Sequence, residues 1–196
     1  MMRLYLIRHG MTFGNTLGRY IGITDEPLTE DGRAALEQLS YPGTELLFAS
    51  PLLRCRETAE ILFPEMEPEI VKGFAECDFG AFENKNYKEL DGNGDYQRWI
   101  DSNGTLPFPG GESPEAFRKR CVEAFDAVMD ICRKRKAGSA ACVVHGGTIM
   151  SILAEYAVPG EEFYHWQVRN GEGYVCTVDL TQWGNGNREI KVQGRI

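Results

Sequence analysis

Twice in this chain an apolar run stops abruptly at a histidine followed by glycine. Leu4-Tyr5-Leu6-Ile7 ends on Arg8-His9-Gly10, and Ala140-Ala141-Cys142-Val143-Val144 ends on His145-Gly146-Gly147. Runs so short and continuous predict strands buried on both faces, the kind found in parallel or mixed sheets covered by helices. In such sheets the ligand crevice lies off the carboxyl ends of the strands. A third run, Leu46-Leu47-Phe48-Ala49, leads into Ser50-Pro51 and then Arg54. Were the three strands parallel neighbours, two imidazoles and two guanidinia would meet at one rim, with Gly10 letting the backbone turn there. The third histidine, His165, sits beside Trp166 among aromatics and reads as structural.

The rest of the chain fits that frame. A polar, glycine-rich loop spans 11–26 and carries Asn15. Thr29 reads as the cap of a helix running to about Leu39, with acids in its first turn. Ser50 reads as an N-cap with Pro51 at the first helical position, opening a helix that ends at Pro64. A strand is expected near Glu69 to Val71. Residues 72–113 are irregular and rich in glycine and aromatics, with a short helix over Tyr96 to Asp101. The longest helix starts at Ser113-Pro114 and stops at Gly138. Its apolar face is Phe117, Cys121, Ala124/Phe125, Val128 and Cys132. A buried helix follows over Ile149 to Ala157, then strands over Tyr164 to Val168, Tyr174 to Leu180 and Glu189 to Val192. No repeat or linker interrupts the chain. The expected fold is one three-layer α/β/α domain over 1–196, built on a mostly parallel mixed sheet, with a lid insertion over about 72–113.

Composition narrows the partners. The net charge is -8 without a basic run, which argues against nucleic acid or an anionic membrane surface. No stretch approaches the ~20 apolar residues of a membrane span, and no leader pattern opens the chain. None of the six cysteines forms a C-x-x-C pair. Cys121 and Cys132 stand about 16 Å apart on their predicted helix, too far to bridge. Reduced thiols and a cytoplasmic location are expected. With no metal-ligand spacing and no nucleotide-cradling glycine loop, neither a metal nor a cofactor is expected. What remains is a local cationic pocket in an acidic shell. Arginine forks, imidazoles and two helix N-termini suit a phosphoryl group.

The motifs, taken in order, resemble the histidine phosphatase superfamily, also called phosphoglycerate mutase-like, in its phosphatase branch. The resemblance rests on Arg8-His9-Gly10 with Thr12 and Asn15, and on Gly22, Asp25, Pro27-Leu28-Thr29 and Gly32. It continues through Ser50, Leu52, Arg54, Thr58 and Ala59, then Glu76, Phe79-Gly80, Glu83 and Leu90. Pro109-Gly110-Gly111-Glu112-Ser113 and His145-Gly146 complete it. It implies His9 as nucleophile of a phosphohistidine intermediate, Arg8, Arg54 and His145 around the phosphoryl oxygens, and Glu76 as proton donor. Glu83 competes for the last role. Asn15, Thr12, Gly146 and Glu83 would contact substrate.

The implied activity is hydrolysis of a small phosphate ester without a metal. α-Ribazole 5′-phosphate is one candidate, suggested by the pattern from Trp99 to Arg120, and a broad range of esters is another. Phosphoglycerate mutase activity and a non-catalytic phosphate-binding role are the alternatives. The terminal strand offers an edge on which a homodimer can pair. Met11 stands where the family often has Glu, and Asn84 where it often has Gly.

Overall fold

The computed structural model describes all 196 residues. In chain order the strands are β1 (Met2–Arg8), β2 (Leu46–Ala49), β3 (Glu69–Ile70), β4 (Ser139–Val144), β5 (Gly173–Val178) and β6 (Ile190–Arg195). They form a single sheet in the order β3-β2-β4-β1-β5-β6. The first four are parallel, and β5 and β6 run antiparallel to their neighbours. The helices are α1 (Phe13–Thr16), α2 (Glu30–Glu37), α3 (Leu53–Leu62), α4 (Gly94–Asp101), α5 (Pro114–Arg135), α6 (Gly146–Tyr156) and α7 (Leu180–Gly184).

Pleating splits the central strand between two cores, since successive side chains point to opposite faces. Leu4 and Leu6 join Phe125, Met129, Ile149 and Ile152 of α5 and α6. Tyr5 and Ile7 join Cys55 and Ala59 of α3. Helices on both faces make the sheet the middle of three layers. A third cluster holds Cys77, Phe82, Leu90, Phe108, Phe117 and Cys121, with Tyr20, Phe79, Tyr96 and Trp99 packed on it. It anchors the segment between β3 and α5 over the ends of the strands. No helix is long and apolar enough to cross a membrane.

Register sets the site. β1 and β4 pair with Arg8 opposite Val144, and His9 N–H donates to the Val144 carbonyl at 2.9 Å. His9 and His145 therefore leave the sheet side by side. Ala49 pairs with Val143, and Ser50 N–H donates to the Val143 carbonyl at 3.0 Å. Three strand ends converge on one edge.

Several element boundaries differ from expectation. Ser50 is not a helix cap: the chain bends at Pro51 and Leu52, and α3 starts at Leu53 with Leu52 at its N-cap. The cap comes from elsewhere in the chain: Leu53 N–H donates to Asp25 Oδ1 at 2.6 Å. The strand expected over Tyr164 to Val168 is instead a 3₁₀ turn over Phe163–Trp166. Its β-prone aromatics serve packing, with Trp166 buried in the main core. The strand expected over Tyr174 to Leu180 stops at Val178. Asp179 then accepts from Thr181 and Gln182 N–H and caps α7. The helix after His145 starts at Gly146 rather than Ile149.

Candidate active site

His9 ends β1 with its ring buried, only 3% exposed. Its Nδ1 lies 2.7 Å from the Gly10 carbonyl oxygen. A carbonyl can only accept, so Nδ1 carries the proton and Nε2 keeps its lone pair. Gly10 is held in turn by its N–H donating to Thr58 Oγ1 at 2.9 Å, while Thr58 Oγ1 donates to the Arg54 carbonyl. The ring therefore hangs on a backbone bonded to α3. Burial, then the Arg54 and Arg8 charges, hold the His9 pKa well below its ordinary value.

His145 faces it, with ring centroids 5.2 Å apart and an edge-on tilt of 64°. Its Nε2 lies 2.7 Å from Ser50 Oγ. Burial and the Arg54 charge keep this ring neutral too.

Two arginines close the sides. Arg54 is fully buried, donating from Nη1 to the Thr24 carbonyl and from Nη2 to those of Ile21 and Gly22. Arg8 donates from Nη1 to the Val168 carbonyl at 2.7 Å. The Nε–H of each is buried with no acceptor. A buried guanidinium proton without a partner is costly, and Arg8 borders the cavity where an anion can supply an acceptor.

Glu76 reaches in from the segment between β3 and α5. Its Oε1 accepts from Cys77 N–H at 2.9 Å, and its Oε2 stands 3.9 Å from His145 Nδ1. Burial raises the carboxyl's pKa despite Arg54 and Arg8 nearby. A carboxyl whose pKa is raised beside neutral imidazoles can give a proton to a leaving oxygen.

The other expected contacts divide. Asn15 lines a cavity of about 500 Å³ together with Arg8, Glu76 and Gly147. Gly146 opens α6 and packs against the Arg8 side chain. Thr12 is fully buried and does not line the cavity; it caps α1 by accepting from Asn15 N–H. Glu83 lies outside the cavity wall as well. Its Oε1 takes three donors, Gly22 N, Thr24 N and Thr24 Oγ1, at 2.8 to 2.9 Å. It braces the loop whose carbonyls hold Arg54. Of the two lid acids only Glu76 meets the histidines.

Asn170 was not visible as a site residue. In the sequence Asn170-Gly171 reads only as a turn. In the fold this loop before β5 wraps the end of β1. Gly171, at φ +81°, donates its N–H to the Arg8 and His9 carbonyls.

A model of the histidine phosphatase superfamily (branch 1) matches residues 4–189. The chain belongs to that superfamily. Among its relatives, an adenosylcobalamin/alpha-ribazole phosphatase of Salmonella typhimurium is 28% identical over 180 residues, 87% of each chain. A probable phosphoglycerate mutase GpmB of Escherichia coli is 30% identical over 161 residues, covering 78% of this chain and 73% of that one. The solved structure of a putative alpha-ribazole-5'-P phosphatase from Escherichia coli K-12 superposes with a TM-score of 0.82. It covers 98% of this chain and 94% of its own at 24% identity, a likeness of fold. This histidine phosphatase domain thus has relatives named for both hydrolysis and mutase chemistry.

Proposed function

We propose that this protein is a phosphomonoesterase working through a phosphohistidine at His9. Nε2 of His9 attacks phosphorus, the ester P–O bond breaks, and the leaving oxygen takes the proton of Glu76. Arg8, Arg54 and His145 hold the phosphoryl oxygens, with Asn15 and the backbone at Gly146 adding donors. The Glu76 carboxylate then takes a proton from water, whose oxygen attacks phosphorus. The P–N bond breaks, and inorganic phosphate leaves with His9 neutral again. One observation carries the reading: an imidazole whose Nε2 is unprotonated faces a second imidazole at 5.2 Å, with the charges of Arg54 and Arg8 acting on both.

The leaving-group side supports an ester larger than phosphoglycerate. Tyr20, Phe79, Trp99, Phe108 and Phe163 wall the cavity of about 500 Å³. A volume in the range of ~300–1,000 Å³ suits a drug-sized ligand, and aromatic walls favour a ring. That fits α-ribazole 5′-phosphate or a family of ring-bearing esters, with phosphoglycerate mutase activity as the second reading. Free, buried thiols fit a cytoplasmic enzyme.

Turnover of p-nitrophenyl phosphate in the absence of added metal tests the reading. Wild type is expected to turn over, His9→Ala is expected to be inactive, and a quenched wild-type digest should carry one phosphate mass on the His9 peptide. A His9→Ala variant as active as wild type would overturn it. Against a panel of esters, ring-bearing nucleotides should exceed phosphoglycerates in kcat/KM, and the reverse order would favour the mutase reading.

A further inference from the structure

We infer that Asn170 is a positioning residue that orients both the nucleophile and the Asn15 amide; this rests on the phosphatase reading above. Its side-chain nitrogen lies 3.2 Å from the His9 carbonyl oxygen, 3.2 Å from that of Gly10 and 3.0 Å from Asn15 Oδ1. Carbonyl oxygens only accept, so the Asn170 atom facing them must be the amide NH₂. Its two protons are shared among three acceptors.

Two consequences follow from that assignment. The Gly10 carbonyl, which fixes the proton on His9 Nδ1, is itself held by Asn170. The nucleophile's tautomer therefore depends on a group gripped from the neighbouring antiparallel strand's loop. Asn15 Oδ1 is also committed, accepting from Asn170 and from Thr12 N–H at 3.3 Å. With its oxygen turned away, the Asn15 Nδ2 protons are left for the cavity that Asn15 lines. Asn170 borders the same cavity, but its amide protons are already turned to the three acceptors, so one side chain sets the lone pair of the nucleophile and the direction of a phosphoryl-binding donor.

A double-variant cycle on p-nitrophenyl phosphate tests this. Asn170→Ala and Asn15→Ala are each expected to lower kcat/KM by roughly 10²-fold, the scale of a lost oxyanion donor or a misplaced reacting group. The double variant should lose far less than the product of the two, because part of the Asn170 effect passes through Asn15. Asn170→Asp keeps the shape and removes both donors. It should be at least as damaging as Asn170→Ala, whereas a space-filling role would leave it near wild type. Multiplicative losses, or an Asn170→Asp enzyme within threefold of wild type, would overturn the inference.

A measurement on wild type covers the case of variants that do not fold. On adding orthovanadate, the Asn15 side-chain amide protons should shift in NMR spectra by clearly more than those of Asn170, which are turned to protein acceptors. Asn170 shifting instead of Asn15 would overturn it. Wild type that neither binds vanadate nor turns over p-nitrophenyl phosphate would instead sink the phosphatase reading.

Discussion

A buried imidazole with two guanidinia nearby gives up its proton more readily, while burial makes a carboxyl hold its proton to higher pH. Those opposite shifts suit the proposed roles, nucleophile at His9 and proton donor at Glu76. The sign of the pH dependence follows. His9 stays neutral below its ordinary value, so the acid limb of kcat/KM lies below pH 6.5. Glu76 must be protonated in the first step, so the alkaline limb lies above its ordinary 4.5, and activity falls as pH rises through it. Glu76→Gln should abolish that limb in a pH–rate profile. It should also cost about 10²–10⁴-fold on an alkyl phosphate, whose leaving oxygen needs the proton, and distinctly less on p-nitrophenyl phosphate. At this scale much was legible. Arg8-His9-Gly10 and His145-Gly146 announce themselves by ending apolar runs. Asn170 does not, because an Asn-Gly pair carries the same signal whether it turns a loop or clamps a nucleophile.

Among the elements, the register of three parallel strands builds the site, and the loop over 20–26 completes it. That loop is held at close range. A Cβ on Gly22 would sit 1.8 Å from the Cys77 carbonyl oxygen, so only glycine lets it pass the lid backbone. Glu83 ties the same loop down by three hydrogen bonds. Glu83→Ala leaves those donors without their acceptor and should cost about 1–3 kcal/mol in chemical denaturation. It should also lower kcat more than His9-independent ligand binding, because the carbonyls holding Arg54 lose their brace. The resemblance implies a substrate contact for Glu83, while in the fold its carboxylate is taken up by the 20–26 loop. Only the packing of loop on lid sets it apart from Glu76. Ser50 shows the same limit: Ser-Pro is a sound start signal, yet the helix takes its cap from Asp25 and Ser50 turns its hydroxyl to His145.

Over the whole molecule, two cores and a lid cluster shield the chemistry in a protein of net charge -8. The acidic surface makes the arginine-lined floor a local exception. All six cysteines are free and buried. Burial pushes the thiols of Cys121, Cys132 and Cys176 up to about 12. Thiolate is the reactive form, so the native protein should be nearly inert to a chromogenic aryl disulfide at neutral pH. All six thiols should react once it is unfolded in guanidinium. Rapid native labelling of several cysteines would show that the lid or a core opens easily.

The chain's pattern alone determined the α/β class, the central strands and the residues ending them, because burial on both faces leaves a continuous apolar run that needs no partner to be read. Tertiary structure decided which acid stands beside His145, what caps α3 and what holds the backbone at His9 and Gly10. Each of these depends on groups far apart in the chain meeting within about 4 Å, the reach of a hydrogen bond or a close polar contact. No local pattern encodes such a meeting.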